Sequence, residues 1–308
     1  MLRTPLLIAA RSTACRTIVE RAPVTRNLVS RFVAGSTLEQ ALPAVEELTR
    51  DRYVTLDHLG EDVTDAEQAG ATVTAYTRLL EELGRAGLGA RAEVSVKLSA
   101  VGQFLPFDGE KIALENARHI CEAAARVGTT VTLDMEDHTT TDSTLSILRE
   151  LRVDYPSAGA VLQAYLHRTE ADCRDLRYEG SRVRLCKGAY DEPASVAYRD
   201  RTKVDRSYVR CMRTLMAGAG YPMIASHDPS MVTIAGRIAA DNGRPADSYE
   251  FQMLYGIRDA EQVRLAAKGN RMRVYVPYGE QWYGYFMRRL AERPANVAFF
   301  ARSLLTRG

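Results

Sequence analysis

The last part of the chain places a tyrosine, two arginines and a glutamate at helical spacing. Residues at i, i+3 or i+4 and i+7 share one face of a helix, and this spacing joins Tyr285, Arg288, Arg289 and Glu292. Two adjacent arginines can together grip a carboxylate, at least one of them through a bidentate contact. The same spacing is also typical of a solvated Arg/Glu pair on a surface helix, so the pattern alone leaves both interpretations open.

A lysine and two acids follow β-branched segments earlier in the chain. Lys97 stands between Val96 and Leu98, and a lysine inside an apolar strand is costly to bury without an anionic partner. Its position predicts anion binding or Schiff-base chemistry, or else an internal ion pair with Asp134 or Glu136. These two acids are two positions apart, which predicts one shared face of a third strand. Paired carboxylates suit acid/base hydrolysis, but the nearby cations favour charge pairing and an orienting role for Asp134.

The segment VRLCKGAY is dense in groups that could contact a ligand. Arg184 and Lys187 bracket the end of a predicted strand, and Gly188 allows the backbone to approach a ligand closely. This combination suits a flavin ring, a phosphate or an acid, although a solvated loop start is the plainer alternative. His227 follows the next predicted strand. Because further ligands at metal-binding spacing are missing from the sequence pattern, we expect no metal site and favour a hydrogen bond from His227 to a cofactor.

The elements that must position these residues alternate regularly. Eight short β-branched segments are separated by longer segments of helical period. The β-branched segments begin at Tyr53, Ala92, Thr130, Ala160, Arg182, Pro222, Tyr249 and Met272. The helix candidates include Asp65–Leu83, Gly109–Val127, Asp142–Arg152, Asp205–Ala219, Met231–Asn242 and Ala260–Lys268. Each predicted strand also ends on polar residues, among them Asp57, His58 and Gln252.

This alternation predicts an α/β protein with a (β/α)₈ TIM-type barrel over residues 51–308. An N-terminal helical arm over residues 1–50 and a C-terminal helix after strand eight complete the expected architecture. A doubly wound open sheet is the alternative, and it normally carries a glycine-rich dinucleotide turn. The glycines at 84, 87 and 89 stand in the wrong order for that turn. In a barrel the polar residues at the carboxyl ends of the strands form the site.

The amino-acid composition further narrows the class of protein to which this chain can belong. The chain has 308 residues, 46% of them hydrophobic, which is enough for one barrel-sized core. The formal net charge of +2 does not indicate nucleic-acid binding. Five cysteines without a CxxC motif predict free thiols and a cytoplasmic location. The acid-free N-terminus, with Arg3, Arg11 and Arg16, weakly suggests a transit peptide, but packing residues nearby favour a helical arm.

Several motifs, taken in order, resemble those of the proline dehydrogenases, a family of flavoproteins, in their compact monofunctional bacterial form. The motifs are SVKLS, VTLDMED, VLQAYL, VRLCKGAY, ASHDP, EFQMLYG, RVYVPYG and YFMRRLAE. Each is weak alone, but the ordered set from about Ser95 to the C-terminus is specific. The resemblance implies oxidation of L-proline to Δ1-pyrroline-5-carboxylate, with FAD as the hydride acceptor and a membrane quinone as the electron acceptor. It therefore implies a cytoplasmic protein and allows peripheral binding to the inner face of the cytoplasmic membrane.

The resemblance also implies roles for individual residues. The substrate carboxylate is expected to bind Lys97, Arg288 and Arg289. The pyrrolidine ring is expected to pack against Leu254, Tyr275 and Tyr285. Asp134, Arg184 and Tyr275 are the expected catalytic residues, with Asp134 orienting Lys97 and nearby tyrosines and Arg184 close to flavin N5. The remaining cofactor-binding set is Gln163, Lys187, Gly188, Ala189, Tyr190, Ser226, His227 and Glu292, the last of which would also brace the two arginines.

Two other functions remain open from the residues themselves. A Schiff-base aldolase on the same barrel would use Lys97 or Lys187 as its nucleophile and would need no flavin. A non-catalytic binding barrel is the third possibility. Flavin absorbance in the purified protein would separate the first function from both alternatives.

Overall fold

The computed structural model describes residues 29–292 and the side chains of residues 29–289. Eight parallel strands close into a barrel in which each strand pairs with its neighbours in chain order and β8 pairs with β1. The strands are β1 (Tyr53–His58), β2 (Ala92–Val96), β3 (Val131–Leu133), β4 (Gly159–Gln163), β5 (Arg182–Cys186), β6 (Tyr221–Ala225), β7 (Glu250–Leu254) and β8 (Arg271–Tyr278). The predicted barrel is therefore confirmed.

The helices surround the strands as the alternation predicts. They are α1 (Leu38–Leu48), α2 (Ala66–Arg85), α3 (Gly109–Arg126), α4 (Thr141–Asp154), α5 (Thr169–Asp175), α6 (Arg201–Met216), α7 (Pro229–Asp241), α8 (Asp259–Ala267) and α9 (Trp282–Glu292). Two 3₁₀ turns, Leu98–Val101 and His138–Thr140, follow β2 and β3. The sequence pattern does not predict α5, because seven residues are too short for a helical period to stand out.

The helix α2 shows how local sequence fixes one of these elements. The side chain of Asp65 accepts a hydrogen bond of 2.8 Å from the Gln68 amide and so caps the first turn. Tyr76, Leu79 and Leu83 recur at helical spacing and are buried against the barrel. The Tyr76 hydroxyl also donates to the Ser95 carbonyl oxygen at 2.6 Å, which ties the helix to β2.

Alternate strand residues point into the barrel, and many of them are charged. Glu93, on β2, is buried and lies 2.6 Å from Arg182, 3.6 Å from Arg273 and 3.7 Å from Arg184. Burial raises the pKa of Glu93, but the three arginines outweigh it and lower the pKa to about 2. Barrel interiors are commonly filled by branched apolar side chains. In this barrel, paired charged side chains occupy part of the interior instead.

A second apolar cluster joins the segment before α1 to the final helix. Phe32 and Phe286 are both buried, and their ring centroids are 6.4 Å apart. Residues 1–28 of the predicted N-terminal arm lie outside the described residues. Ala41 and Val45 of α1 are fully buried in the barrel's own core, and the domain boundary near residue 50 stays a prediction. Between residues 29 and 292, no helix is long and apolar enough to cross a bilayer.

Candidate active site

Asp134 is the centre of a hydrogen-bond network at the carboxyl end of the barrel. Its carboxylate accepts from the Ser95 hydroxyl, from Nη1 of Arg184 and from the Tyr275 hydroxyl, each at 2.7 Å. Nζ of Lys97 is 3.7 Å from its Oδ2. Three strands thus direct their donors onto one carboxylate, and the orientation of Tyr275 and Arg184 depends on it.

Lys97 follows β2 directly, and the prediction that it lies inside the strand is wrong by one residue because β2 ends at Val96. Its Nζ binds both oxygens of Asp57, at 2.8 and 2.9 Å, so the main partner comes from β1 and not from the acids after β3. Burial lowers the pKa of Lys97, but Asp57, Asp134 and Glu61 together raise it well above its ordinary value. Lys97 is therefore a buried ammonium group at neutral pH.

Arg184 is fixed from three directions. Its Nε donates to Oε1 of Gln252 at 2.6 Å, its Nη1 also binds the Ser95 hydroxyl at 2.9 Å, and its guanidinium lies 5.3 Å from the centre of the Tyr275 ring. Among the described residues, the buried Nη2 has no hydrogen-bond partner, although the carboxylate of Glu93 is 3.7 Å away. A rigid, desolvated donor of this kind can stabilise negative charge on a ligand.

Arg288 forms an ion pair with Glu61, an acid in the loop after β1. Its Nη1 donates to Oε2 of Glu61 at 3.3 Å, and its Nη2 makes a shorter contact with Oε1. Burial raises the pKa of Glu61, but Arg288 and then Lys97 outweigh it and lower the pKa. The Glu61 carboxylate thus lies within the fields of two cations predicted to bind the substrate carboxylate.

The neighbouring arginine takes a different position. The Arg289 guanidinium lies 5.2 Å from the centre of the Tyr285 ring, within cation–π range. Tyr285 is buried in the apolar cluster that holds α9 in place. The structure therefore pairs Arg288 with an acid and Arg289 with an aromatic ring. Glu292 ends the helix, and its side chain lies outside the described residues.

Glu136 forms a separate hydrogen-bond network at the carboxyl end of the barrel. The prediction that it shares a face of β3 with Asp134 is wrong, because β3 ends at Leu133 and both acids lie beyond the strand. Glu136 accepts from the Ser99 amide at 3.2 Å and from the Ser99 hydroxyl at 2.7 Å. Its main-chain oxygen accepts from Nε2 of Gln163 at 2.7 Å. Burial raises the pKa of Glu136 to about 7, and the Ser99 hydroxyl and Lys97 oppose the shift.

The KGAY segment directly follows β5 and lies at the same end of the barrel. Lys187 lies between two acids, with Nζ 2.5 Å from Asp205 and 3.0 Å from Asp228. Gly188 has φ +115°, and a Cβ placed there would lie 2.3 Å from Cδ1 of Tyr165. The ring of Tyr165 therefore leaves no room for a side chain at position 188, and only glycine fits there. Ala189 and Tyr190 follow it and are half-buried.

Two residues of the ASHDP motif accept hydrogen bonds from backbone amides. Nε2 of His227 accepts from the Leu254 amide at 2.9 Å, which places the proton of a neutral imidazole on Nδ1. The Ser226 hydroxyl accepts from the Asp228 amide at 3.1 Å and helps to shape the start of α7. The structure therefore brings Leu254, predicted to contact substrate, next to His227, predicted to contact cofactor.

Four residues of this network have no role that the sequence motifs predict. Asp57 and Gln252 were visible as polar strand ends, and Ser95 stands two positions before Lys97 on the same side of the chain. That alternation is a signal that could have identified Ser95. Glu61 lies in a loop without a recognisable motif, so only the structure shows its pairing.

A comparison with known families identifies a match to the proline dehydrogenase family over residues 41–302. The chain is 41% identical to a proline dehydrogenase of Deinococcus radiodurans over 302 residues, covering 95% of this chain and 97% of that protein. It is 39% identical to proline dehydrogenase 1 of Bacillus subtilis over 282 residues, covering 91% and 92%.

Solved structures of larger proteins share the fold. Proline utilization A from Bdellovibrio bacteriovorus, inactivated by N-propargylglycine, superimposes with a TM-score of 0.79 at 25% identity over 86% of this chain. A mutant of proline utilization A from Bradyrhizobium japonicum gives a TM-score of 0.74 at 24% identity over 91% of the chain, which supports the fold alone. This chain spans 32% of the length of each of these proteins.

The parallel barrel with a charged cluster at the carboxyl ends of its strands defines an enzyme-type (β/α)₈ barrel. Together with the match over residues 41–302, it shows that the chain belongs to the proline dehydrogenase family and to the oxidoreductases.

Proposed function

We propose that this protein oxidises L-proline to Δ1-pyrroline-5-carboxylate, with FAD as hydride acceptor and a membrane quinone as the final electron acceptor. Family membership supports the reaction class. The observation that carries the proposal is the pairing of Glu61 with Arg288 within the field of Lys97. It marks a position where Arg288 already binds a carboxylate close to the positive charge of Lys97, and proline carries one carboxylate.

A flavin fits the residues at this end of the barrel. The buried Nη2 of Arg184, which lacks a hydrogen-bond partner among the described side chains, offers a donor to an electron-rich ring. The residues that would hold the cofactor are Gln163, Arg184, Lys187, Gly188, Ala189, Tyr190, Ser226, His227 and Glu292. FAD bound there would supply a two-electron acceptor for the hydride that leaves C5 of proline.

The proposed binding of the substrate carboxylate exchanges one ion pair for another. An incoming carboxylate replaces Glu61 on Arg288, while Arg289 and Lys97 add further positive charge. Lys97 can do so because Asp57 and Asp134 keep it protonated. Burial strengthens each of these contacts relative to water, so three cations fix the only permanently anionic group of the substrate.

The pyrrolidine ring is oriented by apolar and aromatic contacts. Leu254, Tyr275 and Tyr285 pack against it in the proposed complex, and the bulk of Tyr275 disfavours 4-hydroxyproline. The Tyr275 hydroxyl is held by Asp134 at 2.7 Å, so its ring cannot turn freely. Hydride transfer needs proximity, orientation and a neutral amine more than a strong base, and this is the role that the network around Asp134 supports.

The Schiff-base alternative is disfavoured by the charge on Lys97. Such a lysine must lose its proton to attack a carbonyl group, whereas Lys97 binds both oxygens of a buried aspartate and its pKa is raised. Lys187 is likewise held between Asp205 and Asp228. Membership of the proline dehydrogenase family also opposes this alternative and the non-catalytic barrel.

A dye-reduction assay tests the proposed reaction. L-Proline should reduce the dye, and D-proline and 4-hydroxyproline should react far more slowly. A vesicle-supported assay with quinone would test the electron acceptor and a peripheral location at the membrane. Because a relative was solved after inactivation by N-propargylglycine, the same compound should inactivate this protein, and L-proline should protect it. Turnover of all three substrates at equal rates would overturn the proposed specificity.

A further inference from the structure

The amino-terminal mouth of the barrel, opposite the candidate active site, contains a cavity of about 400 Å³. Arginine, tyrosine and hydroxyl side chains dominate its lining, which includes Tyr53, Thr130, Ser157, Arg182, Tyr221 and Arg271. These residues stand at or just before the first residues of their strands. Since the proposed reaction takes place at the other end of the barrel, none of them has a role in it.

The charged side chains in this mouth lie at different depths, with acids deepest and arginines nearer to solvent. Glu93 and Glu250 lie deepest and are almost fully buried, and Arg273 binds Glu250 at 2.7 Å. Arg182 and Arg271 lie nearer to solvent, and Arg182 uses Nη2 for Glu93. Glu93 also lines the cavity, but Arg182 and Arg273 pair with it, and the guanidinium group of Arg271 lies nearer to solvent. An anion entering from solvent meets the positive layer first.

Arg271 is held rigidly without a carboxylate partner. Its guanidinium lies 5.7 Å from the centre of the Tyr53 ring and 5.8 Å from that of Tyr221, and Nη1 is 3.5 Å from the Tyr221 hydroxyl. Among residues 29–289, no acid lies within ion-pairing distance of it, and Asp247 acts only as the weakest of the influences that raise its pKa. Two rings therefore orient a cation whose charge is not balanced locally.

The opposite wall offers hydroxyl groups. Thr130 donates to the Ser157 carbonyl oxygen at 2.9 Å, and its hydroxyl is 3.1 Å from that of Ser157. Hydroxyls that satisfy each other locally can rotate to donate to a ligand oxygen. A cationic wall facing a hydroxyl wall matches the needs of an oxyanion.

We propose that this mouth is a binding site for a small oxyanion, a phosphate or carboxylate group, centred on Arg271. The planar guanidinium groups of Arg271 and Arg182 supply charge-assisted donors, and Thr130 and Ser157 supply neutral ones. The site lies apart from the proposed catalysis, so binding there stabilises the barrel or links its stability to an anionic metabolite. This inference does not depend on the proposed reaction.

Isothermal titration calorimetry on the purified full-length protein tests the proposal. The probes are inorganic phosphate and succinate, each against sodium chloride of equal ionic strength. Arg271→Gln should weaken binding about tenfold or more, because a charged hydrogen bond is lost. Arg264→Gln is the matched control, since Arg264 lies on the surface of α8 and pairs with Glu261, and it should leave affinity unchanged. The tighter of the two probes identifies the oxyanion.

A second variant keeps the test decisive if Arg271→Gln does not fold. Thr130→Val removes a hydroxyl from the opposite wall and should weaken binding several-fold while dye reduction by L-proline stays unchanged. The proposal is overturned if neither probe binds the unaltered protein below about 10 mM. It is equally overturned if both mouth variants bind as tightly as the unaltered protein, because the anion would then sit elsewhere.

Discussion

Asp57 and Lys97 form a buried two-point ion pair between β1 and the end of β2, with Nζ 2.8 and 2.9 Å from the two carboxylate oxygens. The two side chains are 1% and 9% exposed, so water screens this contact poorly. Asp57 therefore does two things: it stabilises a buried charge, and it keeps Lys97 positive for an acidic ligand. Lys97 also lies 3.7 Å from Asp134 and so adjoins the network around that carboxylate.

Removing Asp57 should destabilise the barrel strongly. Asp57→Asn leaves a buried ammonium without its main counter-ion, and breaking a buried pair from one side costs about 3 kcal/mol or more. The free energy of unfolding, measured with urea, should fall by that amount. Asp51→Asn is the control, because Asp51 pairs with Arg52 and is half exposed, and its cost should stay within about 1 kcal/mol. Equal losses in the two variants would argue against the buried pair.

The two arginines of α9 should matter for substrate binding. Arg288→Met and Arg289→Met should each raise KM for L-proline about tenfold or more, because a charge-assisted contact contributes about 1.5–3 kcal/mol. Steady-state kinetics with an artificial electron acceptor provide the measurement, and Arg264→Met serves as a surface control. Unchanged proline kinetics in both α9 variants would remove these residues from the carboxylate site.

Replacing Asp134 should lower the turnover rate more than it weakens retention of the cofactor. Asp134→Ala removes the acceptor for Ser95, Arg184 and Tyr275, so the ring of Tyr275 and the guanidinium of Arg184 lose their common anchor. We expect lower kcat with flavin still bound after gel filtration. Release of flavin from the variant would instead assign Asp134 to holding the cofactor.

Gly188 should tolerate no side chain. Gly188→Ala places a Cβ at φ +115° and 2.3 Å from the Tyr165 ring, so the melting temperature should drop by several degrees. Gly236→Ala is the matched control, since Gly236 lies inside α7 and has open space around it. That change should be neutral or slightly stabilising. A harmless Gly188→Ala would show that the loop can move away from Tyr165.

Glu136 should make stability depend on pH. Its pKa is about 7 in the folded protein and lies near 4.5 in the unfolded chain, so the folded state binds the proton more tightly. The stability of the protein should therefore fall as pH rises from about 4.5 to 7 and then level off, by an amount on the order of 3 kcal/mol. Glu136→Gln should gain stability relative to the unaltered protein across this window. Parallel pH profiles for the two proteins would contradict the shifted pKa.

The fold was predictable because its signals are local and repeated. Each of the eight β-branched segments begins within one residue of the start of an observed strand. Lys97, Asp134 and Glu136 were placed in strands that end before them. Lys97 directly precedes the 3₁₀ turn at Leu98, and residues 134–137 belong to no helix or strand; such short irregular segments leave no period in the sequence.

The convergence of side chains at this end of the barrel was predictable, but their pairings were less so. Arg184, Tyr275 and Asp134 meet as expected, since strand ends in a closed barrel converge. Which acid binds Lys97 depends on the stagger between β1 and β2, where Asp57 pairs in register with Ser95. That register, like the approach of Glu61 to α9, is a property of tertiary packing.

Anaerobic titration of the purified protein with L-proline tests the central claim most directly. The protein should be yellow from bound flavin, and L-proline should bleach that absorbance in proportion to the amount added. Arg288→Met should need a much higher concentration for the same bleaching. A colourless protein that does not take up added FAD, or a flavin that L-proline leaves oxidised, would contradict the account.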